Sequence, residues 1–189
     1  VRLLSPSDYG LMTLSGLLTL LAGMLLEGGI GTALVQRRDI SEPVVSAAMT
    51  GLLLAALFFI AVIQLLAAPS ARFFSEPLLE PILRVASLQF IANALAVVPT
   101  ALLTSRMQFR SLALNQGVGG ISQALFTLAL ALAGAGVWSL VIGTVAASVV
   151  RLVMTWMQAR PRLAFSLRLG ILRPYFKMSS YLIGQRLLS

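Results

Sequence analysis

The chain has 189 residues, 58% of them hydrophobic and 11% charged, with 14 Lys+Arg against 6 Asp+Glu and a net charge of +8. Soluble domains carry about 25% charged residues, so this chain lacks the material for a water-facing surface, and its mean hydropathy of +0.94 points to lipid as its solvent. With no cysteine and no histidine, disulfides, thiolate chemistry and His-based metal or acid–base sites are excluded, and nucleic-acid binding is disfavoured because the cations lie between apolar runs instead of on one basic face.

The first apolar segment runs from Tyr9 to Gln36, about 42 Å if fully helical. Near its end lie Glu27 and a glycine cluster, Gly28, Gly29 and Gly31. Glycine weakens a helix and permits a kink or a close backbone approach. Ordinary tilt or packing explains the cluster; a hinge lining a cavity explains it too. Glu27 is an ionisable group inside an apolar run, where charge costs roughly 2.5–3.5 kcal/mol. It reads either as an ion-coupling group or as half of a structural ion pair.

The second segment spans Val44 to Ala68, the third Pro81 to Thr104, the fourth Leu112 to Ala133 and the fifth Val137 to Met157. Each reaches the ~20 residues needed to cross a bilayer as a helix. Short polar connectors make neighbours antiparallel, and the ~10-residue alternation of a membrane β-barrel is absent. Small residues recur at four-residue spacing: Ala47, Gly51 and Ala55, then Ala92 and Ala96, then Gly143 and Ala147. They let helix backbones approach closely. Arg84 and Arg151 sit near segment ends, where snorkelling to the interface is expected.

The stretch from Arg160 to Lys177 mixes Arg160, Arg162, Arg168, Arg173 and Lys177 with Phe165, Leu167, Leu169, Ile171 and Leu172, and Ser166 is a candidate cap. It reads as an amphipathic interfacial segment or a charged linker. A sixth segment starts near Met178 and contains Arg186 about nine residues in. That depth is poor for snorkelling and suits a cavity residue holding an anionic group.

The expected fold is therefore all-α, an integral membrane protein built as a polytopic helical bundle. Arg2 and Arg72 lie on one side; Arg37, Arg38, Arg106, Arg110, Arg160, Arg162, Arg168, Arg173 and Lys177 lie on the other. The positive-inside rule puts the second group in the cytoplasm and Val1 outside. The chain starts at Val1 with no signal-peptide pattern and stops at Ser189 within an apolar run, which reads as a fragment preceded by an odd number of helices. No catalytic constellation, nucleotide site or cofactor site is visible.

Several passages in order resemble the polysaccharide-exporter branch of the MOP (MATE-like) flippase superfamily. They are Arg2-Leu3-Leu4-Ser5-Pro6-Ser7-Asp8-Tyr9-Gly10, Gly29-Ile30-Gly31-Thr32-Ala33-Leu34-Val35-Gln36-Arg37, Ala71-Arg72-Phe73-Phe74 with Glu76-Pro77, Met107-Gln108-Phe109-Arg110, Gly134-Ala135-Gly136-Val137-Trp138 and Pro161-Arg162-Leu163. The resemblance implies an N-lobe comprising helices two to six and the start of seven. Residues 1–158 would be its transmembrane helices, 159–177 a cytoplasmic basic amphipathic connector and 178–189 the start of the next helix. It further implies a non-enzymatic flippase of the bacterial inner membrane, working by alternating access on polyprenyl-pyrophosphate-linked oligosaccharides such as O-antigen or exopolysaccharide units. Arg186, and more weakly Arg2, would hold the pyrophosphate. Membrane lipids and the polysaccharide polymerase and chain-length machinery are the implied partners. A multidrug or peptidoglycan-precursor exporter of the same superfamily is the alternative, and a membrane-embedded polymerase a third reading.

Overall fold

The computed structural model describes residues 10–17, 19–20 and 42–160. Residues 10–17 and 19–20 are helical, and five further helices follow: α1 Glu42–Phe73, α2 Leu79–Ala86, α3 Gln89–Ser105, α4 Phe109–Leu132 and α5 Val137–Ala159. No strand occurs among the described residues. Among the described residues, three stretches are long and apolar enough to cross a membrane: Val45–Phe73, Leu79–Ser105 and Val137–Ala159. In hydrocarbon every backbone N–H and C=O must be paired within the segment, which is what the helix provides.

The second to fifth apolar segments expected from the sequence are these helices, with two differences, while most of the first and all of the sixth lie outside the described residues. The third segment, expected as one helix from Pro81 to Thr104, tightens at Ser87 and Leu88 into a turn separating α2 from α3. There the Leu88 N–H donates to the Val85 carbonyl at 3.1 Å and the Phe90 N–H to the Ser87 carbonyl at 3.0 Å, three residues apart instead of four. Both flanking residues keep right-handed helical dihedrals, so the rod continues through the turn. The fourth segment is a 24-residue helix, α4, yet it is not among the three membrane-length apolar stretches. Asn115, Gln116, Gly117, Gly119, Gly120, Ser122 and Gln123 dilute its hydropathy.

Two turns close one end of the bundle. After α1 the Glu76 N–H reaches back to the Ala71 carbonyl at 3.0 Å, capping an open helix end around Ser75 at φ 56°. Between α4 and α5 the chain reverses at Gly134 (φ 82°) and Gly136 (φ 52°), dihedrals that a side chain would strain.

α5 is the central element: it packs on α4, α3 and α2, while α1 packs on α3 and α2. The core between them holds Leu52, Leu79, Ile82, Leu83, Phe90, Val98 and Val141. Outward faces carry Leu65, Ile121, Leu125, Leu128 and Leu132, all more than half exposed. With lipid as solvent, burial gains little from water release, so close van der Waals fit and interhelical hydrogen bonds hold the bundle. Of the small residues picked out by spacing, Ala47, Gly51, Ala92, Gly143 and Ala147 are buried where that fit is needed, and Ala55 and Ala96 are half-buried.

Candidate functional site

Arg2, Arg186, Glu27, Gly28, Gly29 and Gly31 all lie outside the described residues, as does the basic stretch beyond Arg160. The described residues carry a separate polar constellation, along the seam between α4 and α5.

The seam is antiparallel and steps by four residues on each helix, the ridge spacing of close helix pairs. Asn115 faces Thr155, its Nδ2 donating to Thr155 Oγ1 at 3.2 Å. One turn along, Gly119 faces Arg151. Two turns further, Thr127 faces Gly143, where a Cβ would collide with Thr127 Oγ1. The hydroxyls are anchored to their own helices: Thr155 Oγ1 donates to the Arg151 carbonyl at 2.6 Å and Thr144 Oγ1 to the Leu140 carbonyl at 2.6 Å. These bonds satisfy polar groups that lipid would leave unpaired.

Arg151 is the charged member. It lies eight residues before Ala159, the last residue of α5, about 12 Å inside the helix end. Side chains lean toward a helix's N-terminus, so Arg151 leans away from the nearer face. Its stem is docked on the neighbouring helix. A Cβ on Gly119 would fall 2.5 Å from Arg151 Cγ, 2.7 Å from Cδ and 3.3 Å from Nε. Gly119 thus provides the bed on which the stem lies. Arg151 is half-buried, and its guanidinium has no hydrogen-bond or ion-pair partner among the described residues. Asn115 is 5% exposed and its Oδ1 accepts no hydrogen bond among them.

Arg84 contrasts with it. Its Nη2 pairs with Glu80 Oε1 at 2.6 Å one turn away, with the two side chains 51% and 36% exposed. That is a surface i,i+4 pair of small energetic consequence.

An unpaired guanidinium can donate two parallel hydrogen bonds to a phosphate or carboxylate. Among the described residues no group of three or more His, Cys, Asp or Glu residues could hold a metal ion. Charge stabilisation and anion binding are what the seam can do chemically. Its signal was present in the sequence: Asn115, Gly119, Gln123 and Thr127 recur every fourth residue, as do Gly143, Ala147, Arg151 and Thr155. The reading of small residues caught only Gly143 and Ala147 of these.

A family model described as "Polysaccharide biosynthesis protein" matches residues 1–189. The succinoglycan biosynthesis transport protein ExoT of Rhizobium meliloti (strain 1021) is 29% identical over 170 residues, covering 88% of this chain and 34% of that protein. The chain therefore spans about a third of the length of this curated relative. No solved structure matches.

Proposed function

We propose a function on one premise: the chain belongs to the polysaccharide biosynthesis protein family. It is the N-terminal lobe of a flippase that carries polyprenyl-pyrophosphate-linked oligosaccharide units across the bacterial inner membrane by alternating access. The observation that carries this reading is Arg151, inside a helix long and apolar enough to cross a membrane, its stem docked on Gly119 and its guanidinium without a protein partner among the described residues. Such a group is costly in a membrane and ordinarily faces a bundle interior or watery cavity. In low dielectric its attraction for a pyrophosphate is far larger than in water. Export of cationic drugs would favour carboxylates in that position instead.

Arg186 and Arg2 are proposed as further pyrophosphate-binding residues, Glu27 as an ion-coupling group or half of an ion pair, and Gly28, Gly29 and Gly31 as a hinge. The ion gradient or membrane potential supplies the energy.

The test uses the full-length protein. Cells lacking it are complemented with wild type, Arg151→Lys or Arg151→Gln, and lipid-linked oligosaccharides are counted by mass spectrometry. Loss of one charge-assisted contact worth about 1.5–3 kcal/mol predicts export reduced roughly 10- to 100-fold in Arg151→Gln. Arg151→Lys keeps the charge without the fork and falls between the two. Unchanged lipid-linked pools and surface polymer in the deletion strain would reject the flippase reading. Wild-type export by Arg151→Gln, inserted at normal levels, would remove Arg151 from the site.

A further inference from the structure

The α3–α4 turn and the end of α5 form a second cationic feature, at the end of the bundle that the arginine distribution assigns to the cytoplasm. Arg106 donates from Nη1 to the Ala159 carbonyl at 3.2 Å, bridging two elements 53 residues apart in sequence. The acceptor is one of the carbonyls that a helix C-terminus leaves open. This bond brings Arg106 against the end of α5, next to Arg160, and Arg110 follows in the first turn of α4 at the same end of the bundle. Arg110 and Arg160 are exposed and have no protein partner among the described residues.

Two apolar side chains stand among these cations. Met107 is 77% exposed and Phe109 is 61% exposed. Met107 lies in the turn after α3 and Phe109 opens α4. Met107 (φ 53°) and Arg160 (φ 42°) are both left-handed non-glycine residues. Such conformations are strained and persist where the surroundings enforce them. The opposite end of the bundle differs. There Arg72 is exposed next to Phe73, but Glu76 lies four residues on beside the left-handed Ser75, and Arg84 is already paired with Glu80, so anionic side chains accompany the cations.

We propose that Arg110 and Arg160, with Met107 and Phe109, form a binding site for the head group of an anionic phospholipid of the cytoplasmic leaflet, and that Arg106 is its positioning residue. Two guanidiniums clasp the phosphate, while the thioether and the ring enter the acyl region below it. Charge complementarity selects the occupant, since each cation near such a surface contributes about 1 kcal/mol toward an anionic lipid. The apolar pair selects a lipid over a free phosphate, which gains nothing from Met107 or Phe109. This site is separate from the Arg151 seam and does not depend on the transport reading.

The test is native mass spectrometry of the full-length protein released from nanodiscs of phosphatidylglycerol and phosphatidylcholine mixed equally. Wild type retains phosphatidylglycerol preferentially. Arg110→Gln and Arg160→Gln each reduce that preference about fivefold, and Met107→Ser/Phe109→Ser reduces total lipid retention with the preference kept. Arg106→Gln weakens retention of both, because it frees the turn from α5. Thermal unfolding of wild type in the two pure lipids guards against misfolded variants, with a higher midpoint in phosphatidylglycerol expected. Equal retention of the two lipids by wild type, or unchanged preference in Arg110→Gln/Arg160→Gln, would overturn the proposal. So would inorganic pyrophosphate displacing the retained lipid and raising the midpoint equally, since the site would then read a free phosphate.

Discussion

The indole N–H of Trp156 donates to the carbonyl of Leu95 at 3.0 Å, across the contact between α5 and α3. That carbonyl is the one Pro99 leaves without a partner. Proline at position i has no N–H to return to the carbonyl of residue i−4, and Pro99 lies inside α3 with its side chain buried. A membrane helix tolerates proline where a neighbour satisfies the freed acceptor. Here the neighbour is an aromatic side chain that also packs on the core.

A double-mutant cycle tests that pairing. Trp156→Phe leaves the Leu95 carbonyl unpaired at the helix interface and should cost about 1 kcal/mol beyond the smaller ring's packing loss. In a Pro99→Ala background the helix supplies its own N–H, so Trp156→Phe should cost less by roughly that amount. Thermal unfolding of the four full-length proteins in one detergent measures both. Equal costs in the two backgrounds would show that the indole contributes only packing.

The α4–α5 seam predicts a contrast between glycines. A Cβ at Gly143 meets Thr127 Oγ1, with the Gln123 carbonyl and the Thr127 backbone nitrogen each at 3.3 Å, whereas nothing lies within 4 Å of one at Gly117 or Gly120. Gly143→Ala should therefore destabilise by about 1–3 kcal/mol through overpacking. Thr127→Ala should rescue most of it, by removing the atom struck. Gly117→Ala and Gly120→Ala should be neutral or stabilising by up to about 1 kcal/mol, since they relieve glycine's entropy cost in a helix. Unfolding midpoints of the single and double variants separate these outcomes.

These pairings also mark where sequence reading stopped. Among the described residues, the second to fifth apolar segments and the glycine turn at residues 134–136 were legible, because lipid forces apolar runs into helices and Gly134 and Gly136 stand where the dihedrals need them. The tightening at Ser87 was not, because no glycine or proline marks it; it depends on a glutamine 23 residues earlier. Arg151 was seen, but its role depends on Gly119 opposite, and no single-helix pattern pairs residues across a turn. The small-residue spacing at Gly143 and Ala147 came closest, since close approach is a property one helix can advertise alone.

Asn115 and Thr155 give a third prediction. Their hydrogen bond is buried and spans 40 residues of sequence. Interhelical bonds of this kind average about 0.6 kcal/mol in membranes. Thr155→Val should cost more than that average, because it strands the Asn115 amide at a position already holding an unpaired Oδ1. Asn115→Leu/Thr155→Val removes both polar partners and should recover much of the loss. A double variant as unstable as the sum of the singles would mean that the two side chains do not interact.

The last prediction concerns the tightened turn between α2 and α3. Gln64 Nε2 of α1 donates to the Arg84 carbonyl and to Ser87 Oγ, both at 3.3 Å, and Ser87 Oγ itself donates to the Arg84 carbonyl at 2.7 Å. A side chain from one helix thus ties down the backbone where its neighbour changes pitch. Gln64→Leu removes the tie and leaves the turn held by Ser87 alone. Backbone amides from Ser87 to Ile91 should then exchange about fivefold faster, the equivalent of roughly 1 kcal/mol in local opening. Arg84→Gln should leave those rates unchanged, because the tie uses the carbonyl of Arg84 and its guanidinium faces Glu80. Hydrogen exchange on the full-length protein in nanodiscs reads both variants. If Arg84→Gln accelerated exchange as much as Gln64→Leu, the surface ion pair and not the glutamine would be holding the turn.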